Sequence, residues 1–321
     1  MALIVALLFG FVPMFFFAAF VYWLDRYEKE PIALLGAAFF WGVVIATGGA
    51  FIINTVFGVG IYIFTGSEAA AEFGTASIVA PIVEEFLKGL AVAIVFFIYR
   101  KEFDSVLDGV IYGGIVGLGF AASENTLYIY RDGYLSSGWG GLFAVAFIRI
   151  ILVGWMHPFF TAFTGIGFAV ARMNKNLLKF VAPIIGYGVA VSAHAFHNTF
   201  GGAIGGLGGL AAGTLVDWSG WAIMFGFIIW MIVHERNIMK NQLREEAASG
   251  LISQTQYQKA LSPWNLTVAG VSGRNASKFY KACGELAHKK EQLAKLGDEG
   301  GNAEIIASLR AELAHLAPHV S

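Results

Sequence analysis

An all-α, polytopic membrane bundle follows from three features of the sequence. Hydrophobic residues fill 57% of its 321 positions and charged ones only 13%, far from the usage of water-soluble domains. The apolar residues gather into runs long enough to cross a bilayer as helices, at ~1.5 Å of rise per residue. At residue 235 the composition turns polar, so a hydrophobic part, 1–234, precedes a helical tail, 235–321.

Taken in order, seven apolar runs can be drawn, at about 2–24, 33–64, 75–99, 106–130, 140–171, 177–203 and 218–234. The first has no basic segment before it and no small-residue cleavage site, so it reads as a retained span. The second and fifth are longer than one crossing needs, which implies tilt or an interfacial beginning. The Gly-rich stretch Gly201–Gly213 before the last run reads as a re-entrant turn. Basic residues fall on alternate loops: Arg26 and Lys29, then Arg100 and Lys101, then Arg172, Lys175 and Lys179, and finally Arg236, Lys240 and Arg244. By the positive-inside rule the N-terminus is outside and the tail is cytoplasmic.

In the tail, Leu243–Leu261 reads as two short helices broken at Gly250, and Ala282–His319 as a helical hairpin broken at Gly297–Gly301. Between them Gly270-Val271-Ser272-Gly273 reads as a turn, although it matches the short motif around a rhomboid serine. A formal net charge of −1 carries no nucleic-acid footprint. The single cysteine, Cys283, excludes an intrachain disulfide and a cysteine-based zinc site. No His-Glu-x-x-His is present, since His234-Glu235 continues as Arg236-Asn237-Ile238.

The third run carries Glu84, Glu85 and Lys88. Each charge near the middle of a spanning helix costs ~2.5–3.5 kcal/mol on insertion scales. Glu84 and Lys88 are four apart and can offset one another, while Glu85 lies about 100° round the helix with no partner on it. A salt bridge needs one carboxylate, so the second points to chemistry. Three further runs hold polar groups that lipid would not tolerate. The fourth has Ser123-Glu124-Asn125 with Tyr128 one turn on; the fifth has Arg149, His157 and Thr161; the sixth has His194, His197 and Asn198. Glu124 can pair with Arg149 across a helix interface, and a lone histidine can be a simple interhelical donor. Asp108 and Asp217 fall near span ends, where water is available. Together, glutamate and two histidines are the inventory of a zinc site or of a Glu/His pair that activates water.

Glu84-Glu85-x-x-Lys88, Glu124-Asn125-x-x-Tyr128, His157-x-x-Phe160-Thr161 and His194-x-x-x-Asn198 occur in the order found in the PrsW family of intramembrane proteases, which the chain resembles from Asp25 to Asn198. The first-loop segment Asp25-Arg26-Tyr27-Glu28-Lys29-Glu30-Pro31 is also similar to that family's. The family is related to the CAAX-processing membrane proteases. The resemblance implies cleavage of membrane-anchored proteins, such as anti-sigma factors, near the outer face of a bacterial cytoplasmic membrane. It puts the essential positions at Glu84, Glu85, His157 and His194, and leaves His197 without a place. In the resulting reading Glu84 is the base that polarises water, and Glu85 is a second carboxylate or metal ligand. His157 and His194 bind the metal or the oxyanion, and Asn198 orients or stabilises the tetrahedral intermediate. Lys88 keeps a glutamate ionised, while Glu124 and Tyr128 support the site or position substrate. Glu85, His157 and His194 are the expected zinc donors, although the CAAX relatives imply that Glu and His can work without a metal. The rival readings are a proton-coupled carrier, since buried Glu, His and Lys also mark ion pathways, and a sensor whose tail carries the function.

Overall fold

The structure is a computed structural model that describes residues 1–298 and 301–320. It is helical throughout, and no strand occurs among the described residues. Five helical stretches among them are long and apolar enough to cross a membrane: Ala2–Leu24, Ile32–Thr65, Val106–Arg172, Leu178–Ile204 and Gly206–Ala248. Residues 75–99 are missing from that set because Glu84, Glu85 and Lys88 share one stretch of it. The third of the five contains more than one crossing, as its helices show.

Helix α1 (Ala2–Leu24) leads into a short loop and then α2 (Ile32–Phe40), which joins α3 (Thr47–Thr65) through a π-helical stretch, Trp41–Ala46. Ser67 caps α4 (Glu68–Gly74), and a second π-helical stretch, Thr75–Val79, runs into α5 (Ala80–Ile98). A Ser105/Asp108 capping box starts α6 (Val106–Tyr128), so buried Asp108 satisfies backbone donors and is not the water-facing carboxylate expected from its place near a span end. Beyond α6 a third π-helical stretch, Ile129–Leu135, reaches a kink at Ser137 and Gly138. There the chain reverses into α7 (Ser136–Phe147), a fourth π-helical stretch (Ile148–Leu152) and α8 (Met156–Arg172). The break between Leu152 and Met156 accounts for the excess length of the fifth apolar run. Helices α9 (Leu178–Ile204) and α10 (Gly206–Gln242) meet at Gly205 and Gly206, both with positive φ. The Gly-rich segment is therefore a tight reversal between two helices rather than a re-entrant turn.

Helix α6 is the axis of the bundle, and Leu107 through Ala122 are buried without a break. Its packing against α8 rests on small residues: a Cβ at Gly113 would sit 2.5 Å from the Thr161 carbonyl oxygen, and one at Gly117 2.6 Å from that of His157. Gly109 meets Gly165 in the same way. Glycines one turn apart let two backbones touch, which is how helices associate where lipid replaces the hydrophobic drive. That contact fixes the height of His157 and Thr161.

The compositional change at 234/235 falls inside α10, whose last turns, with Ile238 and Met239, are buried against the tail. The tail contains α11 (Arg244–Ala248), α12 (Gln254–Ala260), α13 (Asn265–Ser272), α14 (Arg274–Leu296) and α15 (Asn302–Leu316). Gly250 breaks the first pair, and α14 and α15 form the expected hairpin, although α14 begins eight residues before Ala282. Gly270 to Ser272 end a helix and Gly273, at φ 114°, is the break, which corrects the expected turn. The tail helices build a second apolar core with Tyr27, Phe279, Leu286 and Leu313, separate from that of the spanning helices.

Candidate active site

Helices α5, α6, α8 and α9 bring their polar residues to one end of the bundle, around a cavity of about 350 Å³ lined by Glu84, Glu124, Arg149, His157, His194 and Asn198. Two of the four π-helical stretches lie beside it: Thr75–Val79 precedes the turn bearing Glu84, and Ile148–Leu152 carries Arg149. Such stretches shift side chains out of ordinary helical register and recur at functional sites.

Lys88 is fully buried and reaches Glu85 at 2.6 Å, with Glu84 3.7 Å away. The expected i,i+4 offset of Glu84 is present at the longer distance, but Glu85, expected to lack a partner on its own helix, is the nearer one, because residues three apart share a helical face as well as residues four apart. Both Glu85 oxygens are engaged: Oε1 accepts from Lys88 and from His194 Nδ1 (3.0 Å), and Oε2 accepts from the Thr161 hydroxyl (2.9 Å). Glu84 is left differently. Its Oε1 takes a long hydrogen bond from Asn54 (3.4 Å), and its Oε2 is buried with no hydrogen-bond partner.

A carboxylate only accepts, so the ring nitrogen facing it carries hydrogen. His194 therefore donates from Nδ1 to Glu85 and turns an unprotonated Nε2 toward Glu84 Oε2, 3.8 Å away. His157 donates from Nε2 to Glu124 (2.8 Å) and accepts from Lys88 at Nδ1 (3.1 Å). Glu124 also pairs with Arg149, which reaches Asn125 through Nε (2.9 Å) and lies 4.5 Å over the Tyr128 ring. The Asn198 side chain lines the cavity while its amide donates to the Ala76 carbonyl in the π-helical stretch (2.8 Å).

His197, which the motif pattern leaves without a place, lines the same cavity and donates from Nδ1 to Asp217 on α10 at 3.0 Å. Asp217 is buried, contrary to the expectation of a solvated span end. Asn54 was not among the expected residues either; its signal is a lone amide in the otherwise apolar 33–64 run. Nothing in sequence spacing could have linked Asp217 to a histidine on another helix.

The donors of Glu84, His157 and His194 lie within 4.8 Å of one another. One carboxylate and two imidazoles are a zinc set of hydrolytic sites, and a metal-binding imidazole commonly donates its other nitrogen to a carboxylate, as His194 does to Glu85. With Glu84 Oε2 unpartnered, these residues fit a zinc ion; His157 offers Nδ1, the nitrogen now beside Lys88. The carboxylate of the set is Glu84 rather than the expected Glu85, whose oxygens are already taken. A second group, Glu28, Asp104 and His288, lies close enough to hold an ion by the same measure, and there too an ammonium stands among the donors: Lys289 lies 2.8 Å from Asp104, as Lys88 lies 3.1 Å from His157.

Comparison with known proteins agrees with this geometry. Residues 30–237 match the model of the PrsW family intramembrane metalloprotease. Three curated proteins named Protease PrsW are similar to the chain. That of Geobacillus kaustophilus is 32% identical over 51% of this chain and 65% of its own length. That of Bacillus subtilis is 27% identical over 52% and 69%, and that of Oceanobacillus iheyensis 28% identical over 56% and 78%. The match thus spans just under two thirds of the first relative's length, and the family region ends at residue 237, leaving nearly the whole tail outside it. No solved structure matches the chain. With four polar motifs on four packed helices and the family model covering every one of them, the chain belongs to the PrsW family of intramembrane metalloproteases.

Proposed function

We propose that the chain hydrolyses peptide bonds of membrane-anchored proteins, with Glu84 taking the proton of the attacking water. The observation that carries this reading is Glu84 Oε2, a buried carboxylate oxygen without a partner, beside two imidazoles in a polar cavity. A structural carboxylate in a membrane helix would be expected to have both oxygens engaged, as Glu85 has.

Water in the cavity donates to Glu84 Oε2 while its oxygen attacks the scissile carbonyl carbon. The proton held by Glu84 then passes to the leaving amine as the C–N bond breaks. Glu85 fixes the tautomer of His194, and Thr161 fixes the Glu85 rotamer, so the Nε2 lone pair stays aimed at the reacting water. Glu124 fixes His157 in turn. Arg149, Asn198 and the imidazoles are the cavity groups available to the developing oxyanion, and stabilising that charge usually contributes more to catalysis than any other single effect. Tyr128, half exposed at the rim, is placed for contact with substrate. A zinc ion held by Glu84, His157 and His194 would instead supply the polarisation of the carbonyl and the acidification of water, with Glu84 Oε2 a ligand in place of its role as the base. Family membership does not favour the carrier reading.

In this proposal the tail is cytoplasmic and the cavity opens toward the outer leaflet, as the loop charges require. The test is co-expression with single-span candidate substrates such as anti-sigma factors, comparing wild type with Glu84→Gln by mass spectrometry of shortened products. Products from wild type alone support the reading, and products from both remove Glu84 from the mechanism. Zinc content of the purified protein, lowered by His194→Ala, reports on the metal without relying on turnover. Cysteine labelling at Ser67 and Ser249 reports on orientation: labelling of position 249 from outside intact cells would reverse it.

A further inference from the structure

A second cavity, of about 320 Å³, lies at the opposite end of the bundle, between the last turns of α8, the middle of α10 and the tail helix α14. One part of its wall is apolar, formed by Ile166 and Val170 on α8 and by Phe227, Trp230 and Met231 on α10. The other part includes Glu235, His288 and Gln292, each no more than 4% exposed, with Asp104, Ser105 and Glu291 beside them. Each of the three carries a buried polar atom with no hydrogen-bond partner: Glu235 Oε2, His288 Nε2 and Gln292 Nε2. Buried polar atoms without partners are scarce in folded proteins, and three lining one cavity describe a binding surface.

The atoms specify complementary chemistry. Gln292 Nε2 is a donor. His288 presents Nδ1 to Glu28 at 2.8 Å and Asp104 at 3.1 Å. Burial opposes charge on this ring, but the two carboxylates outweigh it and hold the His288 pKa well above the ordinary value, so Nε2 is a donor too. Glu235 Oε2 accepts once an ammonium beside it holds the carboxyl ionised. The polar end therefore asks for an acceptor facing His288 and Gln292 and a donor facing Glu235. Exposed Lys295 and His234 stand at the rim, where α10 passes from apolar to polar sequence. That transition puts the polar end at headgroup level and the apolar end at the level of acyl chains.

We propose that this cavity binds an aminophospholipid, one acyl chain lying between α8 and α10. The phosphate accepts from His288 and Gln292, and the ethanolamine ammonium donates to Glu235. The site is independent of the protease reading: in α8 alone, Val170 lies thirteen residues from His157, roughly 20 Å along the helix. Because Glu235 belongs to a spanning helix and His288 and Gln292 to the tail, the lipid would join the two parts.

The test uses the purified full chain in detergent, delipidated and titrated with phosphatidylethanolamine, read by native mass spectrometry and thermal melting. One bound lipid and a raised melting temperature are expected. Phosphatidylcholine, whose quaternary headgroup has no N–H donor, should bind at least about tenfold more weakly, as should the Gln292→Leu protein with phosphatidylethanolamine, each having lost a charge-assisted hydrogen bond. Val170→Phe, which fills the apolar end, should lower binding while leaving the polar atoms in place. Gln292→Leu also separates the alternatives through stability: without lipid, removing an unpartnered amide should raise the melting temperature, and with lipid the order should reverse. The proposal is overturned if no lipid binds, if both headgroups or both proteins bind equally, or if glycerophosphoethanolamine, which has no acyl chains, binds as tightly as the lipid.

Discussion

Two clusters of buried charge occupy opposite ends of the same helices, and they differ in which groups neutralise them. At one end Glu84, Glu85, Lys88, Glu124, Arg149 and two histidines surround a polar cavity, and Glu84 keeps an oxygen free inside it. At the other, Asp104 is clamped by Lys289 at 2.8 Å and His288 at 3.1 Å, with Glu28 at the same imidazole nitrogen, Nδ1. There the ion pairs tie two loops to the tail, as does the Tyr27 hydroxyl on the Leu261 carbonyl. Charge burial is therefore not the mark of chemistry in this protein. Glu235 Oε2 at the second end is unpartnered as well, so what sets Glu84 apart is the company it keeps: a cavity lined also by two imidazoles and Arg149.

The comparison breaks most directly at its two carboxylates. Glu84→Gln removes the proposed base and no ion pair closer than 3.7 Å, so turnover should fall by ~10²–10⁴-fold. The melting temperature should hold, since Lys88 retains Glu85. An unfolded Glu84→Gln protein would return Glu84 to a structural role. Asp104→Asn should do the reverse: breaking a buried pair costs ~3–5 kcal/mol by leaving Lys289 without its counter-charge. Limited proteolysis should then release the tail while turnover by the membrane part persists. If turnover disappears with the tail still docked, the two ends are coupled more tightly than their separation implies.

Between these ends lies the glycine contact of α6 with α8, and it sharpens the comparison because it positions only one of them. Gly113→Val would drive a side chain against the Thr161 carbonyl. Overpacking of this kind costs ~1–3 kcal/mol, and separating the helices would draw Thr161 from Glu85 and His157 from Lys88. Turnover should be lost with a modest fall in melting temperature. Amide exchange in α14 and α15 should be unchanged.

The helices were legible in sequence because apolar runs and glycine breaks are local signals. Gly297–Gly301 marked the hairpin of α14 and α15, whereas the over-long fifth run reads as tilt or an interfacial beginning and conceals the break ahead of His157. Convergence of Glu84, Glu124, His157 and His194 was legible from polar motifs that lipid would not tolerate on four separate runs. Pairings were not. Lys88 sits three residues from one glutamate and four from another, and only the tertiary position of His157 and Thr161 determines which it takes. Asp217 and His197 lie on separate helices with no shared pattern. Glu28, Asp104 and His288 are spread over 260 residues of chain, and polar loop residues raise no alarm until the tail buries them.

The tail end should also respond to pH, and its sign distinguishes it from a cluster held by carboxylates alone. The groups facing His288 are Asp104 and Glu28 from the two loops and Glu235 from α10. His288 has a raised pKa in the folded protein, so the stability it contributes is complete below ~6.5 and declines as pH climbs through the folded value, by ~1.4 kcal/mol per unit. Asp25, which burial pushes up to about 7 against the opposing pull of Lys29, works in the same direction between its ordinary value and that pH. Asp104 is different. Burial raises its pKa but Lys289 and His288 outweigh that and hold it below the ordinary range, so its contribution is present above ~3.9 and is lost only in strong acid. The tail should therefore dock most firmly from mild acid to near neutrality and loosen at alkaline pH. Hydrogen exchange at Phe279 and Leu286, corrected for intrinsic rates, should show protection falling between pH 7 and 9, with His288→Gln abolishing most of that slope. Protection that instead rose with pH would mean the carboxylates dominate the interface and that His288 is neutral within it.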